Sequence, residues 1–576
     1  MSWFFGIIRS DTNTPIESNY EKLHSKTLLK IALPNLYLAF GGIDETCIYE
    51  VQNESQNKGW AVVGLGIHFS GSSTKIINKD GWRKILSSGT PQTDNLDGHF
   101  VALRWDDEKI EFFTDQLGLR TAYYGKCNNG ICFSSRLDWV AKTTGLQEIN
   151  KAALGGRWLL FNQLSYDSCV NGIERLGPSS HVIIKKGSVT EQISHPWLPE
   201  FGNEIENKAK TTLEALVHVA TNSNHLVSLG LSGGFDSRTL LAILMAIKDV
   251  KFCVHTFGEP FDPDVILSEN IAHEFKLDRQ YFNDPIPDSE ELISILQTFV
   301  AQNLLVEPVS SILRLRYYPL QHANGQMIID GGFGEIARRQ YLNRLVRLGQ
   351  KALREGDIHR IFNLLRTQRA DIFAREYTNE IEFAAHKSLE TTLSAMPSVT
   401  EIGVENFADL LSVRTRVPNF GGPEQSRSDG FIVNFMPMVQ PSFLRAAFCT
   451  NLHYRNNGRF YKEIIQTYEP RLKKFPLVKS GTTYPFGLPL PVAWALTKIK
   501  NKIVHPFSDH TPDRFLWQLK DYVLDIANSE ETKNWHYYDK RKVPLLMEEY
   551  YKGDKRLVKF VDWWLTFEIW RRSLKN

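Results

Sequence analysis

The sequence predicts a multidomain chain of mixed α/β and α+β type. It divides into a β-rich unit over residues 1–200, a parallel α/β unit over 205–505 and a helical extension over 506–576. Three observations carry this division. At 576 residues the chain is too long for one hydrophobic core. Its first 200 residues hold short alternating apolar runs separated by turn signals. From about residue 205 short apolar strands alternate with helical segments, which is the pattern of a parallel sheet.

In the first unit the run Phe100–Trp105 alternates in the strand manner. Asp106-Asp107, Asn128-Asn129-Gly130 and Lys185-Lys186-Gly187 supply turns. The segment Pro196-Trp197-Leu198-Pro199-Glu200-Phe201-Gly202 reads as a loop and places the seam near 196–205. The second unit offers strands at Leu226–Leu231, Phe252–Phe257 and Met327–Ile329, with helical stretches at Arg238–Ile247 and Ile266–Phe275. Residues 340–400 are rich in Arg, Leu, Ala and Glu at helical spacing. Beyond Pro506, Trp535-His536-Tyr537-Tyr538 and Trp563-Trp564 mark a helical extension.

Composition removes several function classes. A net charge of +2, from 67 basic and 65 acidic residues, gives no bulk attraction for nucleic acid. The six cysteines are scattered without a C-x-x-C pair, which argues against a zinc ribbon or disulfide scaffold and suits a reducing compartment. Cys127 and Cys132 flank a turn, where two buried thiols are expected in preference to a disulfide. The apolar start Met1–Ile8 lacks the basic and small-residue flanks of a signal peptide. No apolar run reaches the roughly 20 residues of a membrane helix. A cytoplasmic protein without a membrane span is expected.

The chemistry centres on His225–Leu231, which leads into Ser232-Gly233-Gly234-Phe235-Asp236-Ser237 and then Arg238-Thr239-Leu240-Leu241. This is strand, glycine turn, helix. Gly233 and Gly234 allow the backbone to approach a ligand closely. The free N–H groups of the following helix point at an anion. Ser232 and Ser237 add hydroxyl donors. Asp236 would repel a bare phosphate, so its position implies a bridging Mg²⁺. No Gly-Lys-Ser/Thr follows, so the loop is not of the Walker type. A second strand-to-glycine turn, Met327–Glu335, contributes Gly331 and Gly332. Loops at the carboxyl ends of parallel strands share one crevice, so both turns can face one ligand.

The hexapeptide resembles the S-G-G-x-D-S pyrophosphate loop of the ATP pyrophosphatase superfamily, whose members cleave ATP between the α and β phosphates. The second turn resembles the S-G-E-G-A-D-E-L-F-G-G-Y stretch of asparagine synthetases. Tyr341 matches the final Tyr, while Glu335 stands where that family has its metal-binding Asp. Phe475-Pro476-Leu477-Val478-Lys479-Ser480-Gly481 resembles the R-P-K-x-G-F segment, and Arg459-Phe460-Tyr461-Lys462 resembles the helix supporting it. The resemblance implies ATP and Mg²⁺ as cofactors. It makes Leu231, Ser232, Gly233, Gly234, Asp236, Ser237, Phe257, Gly331 and Gly332 nucleotide-binding, Asp236 and Glu335 metal ligands, and Lys479 catalytic.

The resemblance reaches the first unit as well. Met1–Ile7, Leu96-Asp97-Gly98-His99-Phe100 and Asp115–Gly125 parallel segments of class II glutamine amidotransferases. Ser2, however, occupies the place of the nucleophilic Cys, and the glutamine-holding segments are missing between residues 40 and 95. Glutaminase activity is therefore not expected. Similarly reduced units occur in β-lactam synthetases and lasso-peptide cyclases. At the acceptor pocket Val433–Gln440 replaces E-V-R-x-P-F-L-D, so aspartate is in doubt as the substrate.

The resemblance implies an Ntn-type αββα sandwich followed by a nucleotide α-hydrolase-like doubly wound sheet. It also implies AMP-forming carbon–nitrogen ligation between a small-molecule or peptide carboxylate and an amine or ammonia, in a possible homodimer. Asparagine synthesis from aspartate and a non-catalytic nucleotide-binding regulator stay open as alternatives.

Overall fold

A computed structural model describes residues 2–10, 27–70, 74–89, 91–128, 130–202, 208–479, 481–503 and 506–575. Met1, Asn129, Ser480 and the expected unit boundary at 203–207 lie outside these residues.

The first unit contains two antiparallel sheets. One has six strands in the order Ile173–Arg175, Tyr123–Cys127, Gly130–Ser134, Trp3–Arg9, Leu36–Gly41, Thr27–Ala32. The other runs Ser188–Ile193, His181–Lys185, Lys109–Thr114, Leu96–Trp105, Gly59–His68, Cys47–Val51, with Lys75–Ile76 paired beside Gly59–His68. Strand Trp3–Arg9 shows how the layers arise. Side chains on a strand alternate faces, and this one is buried on both. Phe4 and Ile8 meet Val63, Leu103 and Phe112 of the facing sheet. Trp3, Phe5 and Ile7 point the other way, onto helices Leu137–Thr144 and Lys151–Leu159. Helix Lys79–Leu86 covers the outer face of the second sheet through Trp82, which packs with Trp60, Val62 and Phe100. The order of layers is helix, sheet, sheet, helix.

The second unit is built on a five-stranded parallel sheet: Asp278–Phe282, Phe252–Phe257, Leu226–Gly230, Gln326–Ile329, Asn434–Phe435. In chain order this is 3-2-1-4-5. The winding reverses between Leu226–Gly230 and Gln326–Ile329, and such a reversal opens a crevice at the carboxyl ends of the strands. Helices Phe235–Ala246 and Pro263–Phe275 follow their strands with boundaries within a few residues of the sequence expectation. Pro263 at the first helical turn and the Asp262 carboxylate accepting from the Asp264 N–H begin the latter helix. Strands Asp278–Phe282 and Asn434–Phe435 were not expected. The first is a charged edge strand and the second only two residues long, so neither has a periodic signature.

Helix Val558–Ser573 packs within the main core, where Trp563, Trp564, Phe567 and Trp570 are buried. Phe567 lies 5.6 Å from Trp158 of the first unit, centroid to centroid. The cysteines are free thiols: Cys132 is buried, and Cys127 is half-buried opposite Gly130 in the hairpin register. Among the described residues no helix is long and apolar enough to cross a membrane.

Candidate functional site

The two glycine turns emerge side by side at the sheet reversal. Between them lies a cavity of about 420 Å³ lined by Leu231, Ser232, Asp236, Ser237, Phe257, Gly331 and Gly332, all of them singled out from the sequence. His255, Asp264, Arg314, Asp330 and Glu424 also line it.

The first turn is held by its own hydroxyls. Ser232 Oγ lies 3.0 Å from Ser237 Oγ and accepts from the Gly234 N–H at 3.2 Å. The Ser232 N–H donates to Ser237 Oγ at 3.2 Å. The Gly233 N–H donates to Asp264 Oδ1 at 2.6 Å, so this amide is already committed. Helix Phe235–Ala246 has no side-chain cap, so no side chain competes with an anion for its first-turn amides. The second turn presses against this helix start. A Cβ on Gly331 would lie 2.9 Å from both the Ser237 nitrogen and Asp236 Cβ, and one on Gly334 would lie 2.6 Å from Asp236 Cγ. Only glycine permits that approach. Phe333, between them, takes a left-handed φ of 64°.

Gly233 and Gly234 lie on the loop itself but are not part of the cavity wall. Lys479 ends strand Leu477–Lys479, which is tied to the loop by the Val478 N–H donating to Gly233 O at 3.1 Å. Burial, then the neighbouring cations Arg338 and Arg347, push the Lys479 ammonium below its usual range. Among the described residues it forms no ion pair. The supporting helix Arg459–Tyr468 is in place: Tyr461, fully buried, donates to Gly334 O at 3.2 Å.

The two carboxylates expected to bind metal have protein partners. Arg338 Nε and Nη2 donate to Asp236 Oδ1 and Oδ2 at 2.8 and 3.0 Å. Arg416 Nε lies 3.7 Å from Glu335 Oε1, and Arg416 Nη1 donates to the Tyr341 hydroxyl at 3.0 Å. Burial and then the Asp236 charge raise the Glu335 carboxyl, so the two carboxylates sense each other. Oxygen donors suit Mg²⁺. Each already faces a guanidinium, though, so as they stand these residues do not make a metal site. No group of three or more His, Cys, Asp or Glu side chains capable of holding a metal occurs among the described residues.

A charge network that the sequence did not reveal runs through Arg314 and Glu424 of the cavity wall. Arg314 holds Glu307 and, at 3.0 Å, Glu424. Arg427 pairs with Glu307 at 2.8 Å. Burial and then Glu307 raise Glu424 to about 7. His255 is buried, with Nδ1 2.8 Å from Ser228 Oγ, and burial lowers it to about 4. The members of this network are isolated letters over more than a hundred residues, and only the fold assembles them.

Ser2 sits between the units. It is fully buried, its hydroxyl 2.5 Å from Thr46 Oγ1, donating to Asp429 O at 3.0 Å and accepting from the Ile43 N–H at 3.3 Å. Arg120 bonds the Ser2 carbonyl and pairs with Asp429 at 3.0 Å, and His99 Nε2 lies 3.1 Å from the same carboxylate. Gln440, in the departed acceptor segment, accepts from the Gly98 N–H at 2.7 Å. Segments 425–442 therefore cap the first unit with a buried polar network.

No family model and no curated protein matches the chain. Among solved structures it is similar to the allosteric regulatory enzyme of purine biosynthesis, at 10% identity over 61% of this chain and 72% of that one. It is similar also to glutamine phosphoribosylpyrophosphate (PRPP) amidotransferase from B. subtilis complexed with ADP and GMP, at 10% identity over 57% and 75%. Both TM-scores are 0.21, a level that carries no argument about chemistry.

Proposed function

We propose that the chain binds ATP in the cavity at the sheet reversal and activates a carboxylate for amide formation in the manner of asparagine synthetases. A carboxylate oxygen attacks the α phosphorus and pyrophosphate leaves. An amine nitrogen then attacks the acyl carbon, AMP departs, and the amine loses its proton. The observation that supports this most is the meeting of the two glycine turns, Ser232–Ser237 and Gly331–Gly334, over one cavity. The hydroxyls of Ser232 and Ser237 and the uncapped amides after Gly234 are donors for phosphate oxygens. Lys479, on the strand tied to that loop, offers a fixed cation to the charge that develops. Asp236 and Glu335 each face a guanidinium, so as they stand neither serves as a Mg²⁺ ligand.

The nitrogen would come from the substrate or from ammonia. Ser2 is buried and triply engaged, which supports a first unit without glutaminase activity. A second reading, a nucleotide-binding regulator without turnover, is favoured by one observation, the Arg338 grip on Asp236.

The test is pyrophosphate and AMP release by the purified chain with ATP, Mg²⁺ and aspartate, given ammonia or glutamine in parallel. Release with ammonia supports the synthetase reading. Equal use of glutamine overturns the reading of Ser2, and ATP binding without pyrophosphate supports the regulator.

A further inference from the structure

A larger cavity, about 730 Å³, lies where the C-terminal extension meets the second unit. Its size is that of a small-molecule site. Phe161, Phe420 and Trp563 give it an apolar wall, and Arg369 and Lys559 face it. Of the four acids that line it, Glu307, Asp513 and Asp562 are committed, and Asp509 accepts from the Thr511 N–H at 2.8 Å. Glu307 binds Arg314 and Arg427, and Asp562 accepts from the Ser310 N–H at 3.0 Å and the Ser310 hydroxyl at 2.5 Å. Asp513 lies 3.3 Å from Lys555.

Arg556 pairs with Asp554 at 2.7 Å, and the two remaining cations, Arg369 and Lys559, have no carboxylate partner among the described residues. Arg369 lies over Trp563, its guanidinium carbon 3.8 Å from the ring centroid. Its buried Nε has no hydrogen-bond partner, and its Nη1 reaches only the Gln368 carbonyl at 3.3 Å. Lys559 and Trp563 stand four residues apart on helix Val558–Ser573, hence on one face. Burial lowers both cations, and Arg369 further lowers Lys559, so they are close enough to repel. Two like charges beside an aromatic wall are relieved by an anion that carries an apolar body.

The cavity also adjoins a second one on the side of the glycine turns. Pro308, Asp509 and Pro512 line both it and a neighbouring cavity of about 640 Å³, which shares Phe257, Asp262 and Arg314 with the nucleotide cavity.

We propose that this cavity binds the distal arm of the substrate: an apolar or aromatic body ending in an anionic group held between Arg369 and Lys559. This rests on the proposed ATP-dependent activation for its role, but the binding itself does not.

Calorimetric titration of the full chain with 1-naphthylacetate, against the neutral 1-naphthylacetamide, tests it. The acid is expected to bind at least about tenfold more tightly than the amide. Arg369→Gln and Lys559→Gln should each remove most of that preference, and Arg369→Lys should keep part of it. Lys559 is exposed, so its variant does not threaten folding. Equal binding of acid and amide, no binding of either, or a preference unchanged in both glutamine variants overturns the proposal. ATP titrated into the same protein separates the two readings: acid binding without ATP binding leaves this site standing and removes the proposed reaction.

Discussion

Arg338 grips both oxygens of Asp236, at 2.8 and 3.0 Å, with each side chain at least four-fifths buried. The pair stands beside the Ser232–Ser237 turn, where on the proposed reading the guanidinium takes the place of a divalent ion. ATP binding by the wild-type chain is therefore expected to survive EDTA. Arg338→Ala should weaken it about tenfold or more in EDTA, a loss of about 1.4 kcal/mol, with partial recovery on adding Mg²⁺. Equilibrium dialysis with and without chelator checks this. Complete loss of wild-type binding in EDTA would show that Arg338 does not substitute for the ion.

Lys479 should separate binding from turnover. Lys479→Ala is expected to lower pyrophosphate release by about 100-fold while ATP affinity falls much less, because charge stabilisation matters most where charge develops. Comparing dialysis with single-turnover release measures the split.

The burial of Ser2 sets a third expectation. Ser2→Cys installs the nucleophilic atom of class II glutamine amidotransferases but not access to it, so glutamine hydrolysis should stay at background in an ammonia assay. Ser2→Ala leaves Thr46, the Ile43 N–H and the Asp429 carbonyl with one partner fewer. It should cost about 1–2 kcal/mol in denaturant unfolding.

His255 makes stability depend on pH. Its folded value, about 4, lies below its ordinary 6.5, so the unfolded chain takes up the proton first. Its contribution to stability is complete above about pH 6.5 and is lost as pH falls toward 4. Between pH 7 and 4.5 the wild type should lose up to about 2.5 kcal/mol more than His255→Asn, read from paired urea titrations.

The legible parts of this chain were those with local periodicity or a local motif. Strand Phe252–Phe257 and the strand–turn–helix around Ser232–Ser237 announce themselves, because alternation and glycine spacing act over a few residues. Leu231, Asp236, Phe257 and Gly331 could be placed near one another because a parallel sheet converges its loops. Arg338 could not. It is one arginine just beyond the second glycine turn, and only the folded turn that carries Gly331 and Gly334 past Asp236 brings it within reach. Glu307, Arg314, Glu424 and Arg427 are likewise assembled by tertiary packing.

Helix Val558–Ser573 leaves the ribosome about 400 residues after Trp158, against which its Phe567 rests. At cellular elongation rates of 5–20 residues per second the interval is some tens of seconds. During that time the outer aromatic surface of helix Lys151–Leu159 waits for its cover. Synthesis of helix Val558–Ser573 is thus a step in the maturation of the unit made long before it, and a nascent chain stalled before residue 558 presents a sticky, unfinished face to its surroundings.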